Sequence, residues 1–328
     1  MNKKILVLGG TGALGVYLVE ALVKAKEQVD VISLDEKTSA NPLLRYIRGN
    51  AMDDDYLLTV LKNGYDAVVD FMLYPSKVFA KRYKMLLKNT GHYIFLSSYR
   101  IYAGDFPITE SSPRLLETNK SDLINPEDYS VYKAMEEDML RQSGARNFTV
   151  IRPAITYSKR RFQLTILEAP VLIYRMRAGK TVYLPAAAIN VQATMSWSGD
   201  VAKMIQALIL NEQAFGETYT VSTAEHHTWG EIAEMYRELG GLKCKWINTE
   251  DFIRLTDKPG SVMARRQLLY DRLFHRVINN SKILNISGLK QEQLMPLKKG
   301  LKMELDALPK DYEWPYTPIN DRMDHYEK

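Results

Sequence analysis

Ile5-Leu6-Val7-Leu8-Gly9-Gly10-Thr11-Gly12-Ala13-Leu14-Gly15 decides how this chain reads. The four consecutive apolar residues Ile5 to Leu8 read as a strand. Leu14, Leu18, Leu22 and Ala25 then recur at helical spacing, so the glycines lie between a strand and an amphipathic helix. Gly9, Gly12 and Gly15 form G-x-x-G-x-x-G at that junction. The first permits a tight turn, the second lets a pyrophosphate approach the backbone, and the third lets helix and strand pack closely. The helix N-terminus offers free N–H groups to the anion. The expectation is a dinucleotide held by Gly9, Thr11, Gly12, Ala13, Leu14 and Gly15; the alternative is a merely tight strand–helix turn.

Outward from this turn, strand-type runs alternate with helical ones. Val29–Leu34, Arg45–Arg48, Asp66–Met72, His92–Ser97 and Phe148–Arg152 read as strands, and Ser76–Asn89 and Tyr129–Gln142 as helices. That alternation predicts an α/β fold with a doubly wound parallel sheet. After Pro153 the rhythm loosens. A helix is expected over Gln163–Arg177, short β runs at Val182–Leu184 and Val191–Trp197, and a helix over Gly199–Leu210. A strand at Glu217–Ser222, a helix over Thr228–Leu239 with the Thr228/Glu231 capping box, and a strand at Lys243–Ile247 follow, with elements here returning to the main sheet. The division is 1–158 for the nucleotide and 159–328 mainly for a smaller C-terminal substrate-binding domain, with about 190–222 returning to the first. The last forty residues, rich in Lys, Asp, Tyr and Pro, read as a surface tail.

Composition narrows the function classes. A chain of 328 residues with 46% hydrophobic and 25% charged residues excludes wholesale disorder, a collagen-like repeat and a disulfide scaffold. Forty-four Lys and Arg against 39 Asp and Glu leave +5, spread along the chain, so nucleic acid is permitted but not demanded. The single cysteine, Cys244, cannot pair internally and fits a reducing compartment. The opening apolar run breaks at Gly9-Gly10 with no cleavage site, and Ile166–Tyr174 is too short to cross a bilayer. A cytoplasmic protein with no membrane segment is expected. His226-His227 has no partners at ligand spacing, so no metal is expected.

Asp35, with Glu36 behind it, follows the glycines by about twenty residues, where an acid accepts hydrogen bonds from the adenosine ribose. This favours NAD. No Arg stands between Val29 and Leu44 to meet a 2′-phosphate, which disfavours NADP, although Lys37 keeps it open. The alternative makes Asp35 and Glu36 solvated turn residues.

Tyr129 and Lys133 lie four apart on a helical stretch and project from one face. A phenol with an ordinary pKa of about 10 is a poor base, but a neighbouring ammonium and a cationic nicotinamide ring stabilise the phenolate. It can then act as a general acid or base. Tyr132, adjacent to Lys133, cannot face it in the same way. Ser98 closes a strand at the sheet edge where ligands bind, and can hold a reacting oxygen.

Together these motifs resemble the extended short-chain dehydrogenase/reductases, the NAD-dependent epimerase/dehydratase branch, over nearly the whole chain. Phe95-Leu96-Ser97-Ser98 with Ile101-Tyr102 is similar to the strand bearing the family's serine. Tyr129-Ser130-Val131-Tyr132-Lys133, followed by Ala134 and Glu136, resembles its catalytic helix; Arg152-Pro153 its turn beside the nicotinamide; and Asp200-Val201-Ala202 a later structural marker. The resemblance implies a Rossmann-type fold, catalysis by Ser98, Tyr129 and Lys133, and further cofactor contacts from Asn50, Ala51, Phe71, Met72 and Pro153. The chain departs from the pattern in three places. Asn50 replaces a common aspartate, Ser158 a glycine, and Phe71-Met72-Leu73-Tyr74 a run of small residues.

In the family's reaction the tyrosinate takes a proton from a sugar hydroxyl while hydride leaves the same carbon for NAD. Sugar dehydratases add an acid–base pair after the serine, where this chain has Tyr99 and Arg100, so dehydration is not expected. Cys244 reads as buried filler rather than a second catalytic group. What remains is epimerisation of a sugar or nucleotide sugar by transient oxidation at one carbon, or NAD(P)-dependent dehydrogenation of a small alcohol or sugar. A non-catalytic RNA-binding or regulatory role is the third alternative. Lys159-Arg160-Arg161 could clamp an anionic substrate, and Tyr74, Tyr99 and Arg100 are expected along the substrate wall. A homodimer is implied by analogy with the family.

Overall fold

Period-two burial along one strand builds two layers at once. In β1 (Lys4–Leu8), Ile5 and Val7 enter one core while Leu6 and Leu8 enter another on the opposite face of the sheet. The computed structural model describes residues 2–104, 106–118, 125, 128–258 and 260–326. β1, β2 (Gln28–Ser33), β3 (Leu44–Arg48), β4 (Ala67–Asp70), β5 (His92–Leu96) and β6 (Phe148–Ile151) join Thr218–Tyr219 in a seven-stranded sheet. Its order is Thr218–Tyr219, β6, β5, β4, β1, β2, β3, every pair parallel. The chain reverses its direction of travel between β1 and β4, where Leu8 is registered with Asp70. A crevice opens there, outside the carboxyl ends of the strands.

Helices α1 (Gly15–Lys24), α2 (Asp54–Leu61), α3 (Ser76–Lys88), α4 (Tyr129–Arg141) and α6 (Ser198–Leu208) cover this frame, whereas α5 (Ala169–Arg177) packs in the C-terminal lobe. α1 and α6 bury Leu18, Leu22, Val201 and Ile205 against one face; α2, α3 and α4 bury Leu57, Phe79, Leu86 and Leu140 against the other. The fold is thus the doubly wound Rossmann-type sheet. A third core, around Tyr157, Leu172, Trp229, Tyr236 and Phe252, forms the C-terminal lobe. Ile283 and Leu294, late in the chain, lie in the α1 core.

Three expectations are corrected. Gln163–Arg177 is not one helix: Gln163–Leu164 and Leu167–Glu168 form an antiparallel hairpin, and α5 starts only at Ala169. Thr165 at φ +53° makes the turn, and Pro170 in the first turn of α5 fixes where the helix begins. Lys243–Ile247 does not return to the main sheet; it pairs with Thr181–Pro185 in a separate two-stranded parallel sheet. The final forty residues are more than a surface tail, since the helix Leu297–Asp306 buries Leu297, Leu301 and Glu304 and the helix Pro318–Tyr326 buries Met323. Among the described residues no helix is long and apolar enough to cross a membrane.

Glu304 ties the lobes together. Its Oε1 accepts from Tyr17 Oη on α1 (2.5 Å) and from Trp197 Nε1 (2.7 Å), and the two rings meet edge to face. Burial and then the Glu304 carboxylate push the Tyr17 phenol up to about 12. Glu304→Leu leaves two half-buried donors without their acceptor, at a cost of about 1–3 kcal/mol. Urea unfolding should show that loss; an unchanged midpoint would mean that the tether carries no stability.

Candidate active site

Close packing shapes the glycine turn. Gly9 adopts φ +73°, and a Cβ on Gly15 would stand 2.4 Å from the Gly9 carbonyl oxygen, so a side chain at either position strains the turn. The Gly12 amide donates to Gly9 O at 3.0 Å, closing the turn. No side chain among the described residues caps the start of α1, and no acid occupies its first turn, so its free amides and positive dipole end face the crevice. Such a cradle fits a pyrophosphate.

At the carboxyl end of β5 the chain turns into a short 3₁₀ segment, Tyr99–Ile101, capped by Ser98, whose Oγ accepts from the Arg100 amide at 3.2 Å. α4 begins at Tyr129 and is capped by Asp128, which accepts from the Ser130 amide at 3.0 Å. The other Asp128 oxygen accepts from Arg266 Nε at 2.9 Å, tying the start of α4 to the C-terminal lobe. Arg100 lies over the Tyr129 ring, 5.0 Å from its centroid.

A buried ion pair anchors α4. Glu137 accepts from Arg152 Nε (2.9 Å) and Nη2 (2.5 Å) in a bidentate pair, and Ser97 Oγ donates to the same carboxylate at 2.5 Å. Burial alone would raise the Glu137 carboxyl, but Arg152, Arg141 and Ser97 together hold it below its ordinary range. Arg152 also donates to Tyr102 Oη and Glu110 O, which satisfies its fork. Glu137, rather than Glu136, carries the contact between α4 and the Arg-Pro turn.

A cavity of about 460 Å³ lies over the sheet edge, lined by Gly12, Phe71, Ser98, Tyr129, Pro153 and Arg161 among others. A second, of about 690 Å³, adjoins it, and Arg100, Tyr129, Glu168 and Gln267 face both. Beside them sits a cluster of charge. Asp271, buried, is shared by Arg100 (3.3 Å), Arg276 (3.2 Å) and Arg272. Three guanidinium groups on one carboxylate leave an excess of positive charge; Arg100 and Arg272 line the first cavity, and Arg272 also donates to Tyr99 Oη at 2.9 Å.

The structure sorts the expected residues. Gly9, Gly12, Ala13, Leu14, Gly15, Phe71, Ser98, Tyr99, Arg100, Tyr129, Pro153 and Arg161 face the first cavity, whereas Thr11, Met72 and Lys133 do not line it. Tyr74 is placed away from any substrate wall. It is fully buried beneath the sheet and donates to Asp70, because the chain after β4 turns back toward α3. Arg160, at φ +68°, turns outward and stacks on Tyr312 at 4.7 Å. Asn50 is exposed and closes a turn by accepting from the Met52 amide, and Ala51 is buried with its carbonyl on Arg82. Asp35 stands exposed two residues beyond β2; its amide donates to Ser33 Oγ, and Ser33 is the strand's last residue. Sequence reading missed Arg48, which the β2–β3 register places beside Ser33, as well as Arg272 and Gln267. Among the described residues no group of three His, Cys, Asp or Glu could hold a metal ion.

Comparison with known proteins matches residues 5–222 to the model of the NAD dependent epimerase/dehydratase family. The chain belongs to this family. Solved structures share the fold. A Bacillus cereus UDP-glucuronic acid 4-epimerase variant, in complex with UDP-4-deoxy-4-fluoro-glucuronic acid and NAD, superposes with a TM-score of 0.69 at 16% identity, covering 92% of this chain and 98% of that one. A Thermus thermophilus UDP-glucose 4-epimerase in complex with NAD gives 0.63 at 18% identity, with the same coverage. The chloroplast stem-loop binding protein of 41 kDa b of Arabidopsis thaliana is 24% identical over 259 residues, 74% of this chain and 64% of that protein. The chain therefore spans under two thirds of that relative's length. The family match ends at residue 222, so Arg272, Gln267 and the second cavity's far wall belong to a part of the chain that the family model does not reach.

Glu137→Gln should destabilise the protein by about 3–5 kcal/mol in chemical denaturation, because it strands a buried guanidinium. The sign with pH follows from the lowered carboxyl: the pair's contribution is present above the ordinary carboxylate range and is lost as pH falls through the folded-state value. The gap between wild type and variant should therefore close in acid; a gap independent of pH would contradict the ion-pair assignment.

Proposed function

We propose that this protein is an NAD-dependent epimerase of a nucleotide sugar or other anionic sugar, acting by transient oxidation at one carbon. The observation that carries this reading is the position of Tyr129, whose side chain faces both the cavity under the glycine turn and its larger neighbour. The glycine cradle fits a dinucleotide, which Gly9, Gly12, Gly15, Phe71 and Pro153 would hold. Bound NAD supplies the hydride acceptor.

The chain's own residues handle the proton and the substrate. Tyr129 Oη receives the proton of the reacting hydroxyl and Ser98 Oγ holds that oxygen, while Lys133, one helical turn on, is paired with Glu136 behind the cavity wall. Phe71 and Leu96 keep water from the reacting carbon. Arg161, Arg100 and Arg272 offer cationic groups to a phosphate or carboxylate of the substrate. The two positions after Ser98 supply no acid–base pair for dehydration: burial raises the Tyr99 phenol, which accepts from Arg272, and Arg100 carries no acid.

Oxidation without return of the hydride remains the dehydrogenase alternative, and the chloroplast stem-loop binding protein supports keeping RNA binding as a separate outcome. Tyr129→Phe removes the proton acceptor and should lower turnover of a nucleotide sugar by at least about 100-fold while NAD affinity is retained. Unchanged turnover would overturn the role of Tyr129. RNA retained equally by wild type and variant, with no turnover in either, would favour the binding protein.

NAD is the preferred dinucleotide in this reading, with Asp35 and Glu36 at the ribose end. Arg48, 3.5 Å from Glu36 and largely exposed, is the cation that admits some NADP. Calorimetry should find NAD tighter than NADP, and Arg48→Ala should weaken NADP alone; equal losses for both would remove Arg48 from the discrimination.

A further inference from the structure

Behind the cavity wall, between β5 and helices α3 and α4, a set of ionisable groups is sealed from solvent. Lys133 Nζ lies 3.0 Å from Glu136 Oε2, both side chains fully buried, with the ammonium 4.6 Å from the centroid of the Phe95 ring. This ion pair is the only polar contact of either side chain among the described residues. Asp70, at the end of β4, adds a second buried carboxyl that feels the same ammonium. Asp70 accepts from the Met72 amide and from the hydroxyls of Tyr74 and Tyr93, and Arg82 of α3 covers the Tyr74 ring. From α4 itself Tyr132 and Glu137 approach, the latter already neutralised by Arg152 and Arg141.

Asp70 and Glu136 thus divide one ammonium between them. A buried carboxylate deprived of its counter-ion protonates rather than remain charged. Burial pushes Glu136 up to about 7 even against the pull of Lys133, and burial likewise raises Asp70. Tyr129 faces the cavity, but Lys133, four residues later, does not line it. For the ammonium to serve a dinucleotide there, it must leave Glu136.

We propose that binding of the dinucleotide is coupled to uptake of one proton from solvent by Glu136, as Lys133 turns from that carboxylate toward the cofactor. The inference rests on the dinucleotide reading given above. One proton moves from solvent to a Glu136 carboxylate oxygen, and no covalent bond of the dinucleotide changes. Glu136 acts through Lys133 and is a positioning residue, touching neither cofactor nor substrate. By linkage, affinity for the dinucleotide falls as pH rises past the Glu136 titration, by up to about tenfold per pH unit.

The test is calorimetric titration of NAD into the full-length protein at about pH 8, in buffers of differing ionisation enthalpy, for wild type, Glu136→Gln and Glu136→Asp. Wild type should take up close to one proton per NAD bound, Glu136→Gln none, and Glu136→Asp should restore uptake. Equal uptake by wild type and Glu136→Gln overturns the inference and leaves the dinucleotide reading standing. No heat with NAD or NADP in folded wild type overturns both. Should Glu136→Gln not fold, wild type decides alone: a dissociation constant that stays flat from about pH 6.5 to 8.5 overturns the coupling.

Discussion

The buried pair of Glu137 and Arg152 is the contact on which the geometry of the site depends. Arg152 follows β6 directly and reaches α4 through two parallel hydrogen bonds, while Ser97 at the end of β5 donates to the same carboxylate. Two strands and one helix therefore meet on a single pair of oxygens. Desolvating both charges is costly, and the pair is tolerable only because nearly every remaining donor of the guanidinium finds an acceptor on Tyr102 and Glu110. Ser97 precedes Ser98 and Arg152 precedes Pro153, both at the cavity, and Glu137 lies on the helix that starts with Tyr129. The placement of Ser98, Tyr129 and Pro153 at the cavity is thus bound to a buried ion pair whose two charged side chains do not line it.

What was legible in the sequence was local. The strand, glycine turn and amphipathic helix at the N-terminus follow from periodicities of two and about 3.6 residues, and the spacing of Tyr129 and Lys133 follows from one turn of helix. What was not legible was set by directions and long separations. Tyr74 lies only three residues past Phe71, yet it turns beneath the sheet while Phe71 faces the cavity, because the loop after β4 folds back on Asp70. Arg48 reaches the end of β2 through strand adjacency rather than through the β2–β3 loop in which a cation was sought. Arg272 meets Tyr99 across 173 positions of chain, a distance over which no periodicity carries information. Tyr129 and Lys133 do share α4, but the Lys133 charge is spent on Glu136, a neighbour that spacing alone left unassigned.

The two charged clusters of the site oppose one another. Around Asp271 three guanidinium groups outnumber one carboxylate, and two of them, those of Arg100 and Arg272, stand at the cavity wall, so the surplus there is positive. Behind Phe95 two carboxyls outnumber one ammonium and are shut away from water, so the surplus is negative and can be relieved only by a proton. An anion entering the cavity is drawn by the first surplus. Any pull it exerts on Lys133 worsens the second. The two terms have opposite sign in the binding free energy, and solution pH acts only on the latter, since the guanidinium groups remain charged throughout. In the reading proposed above, the cationic wall sets the scale of affinity and the hidden carboxyl pair sets its dependence on pH.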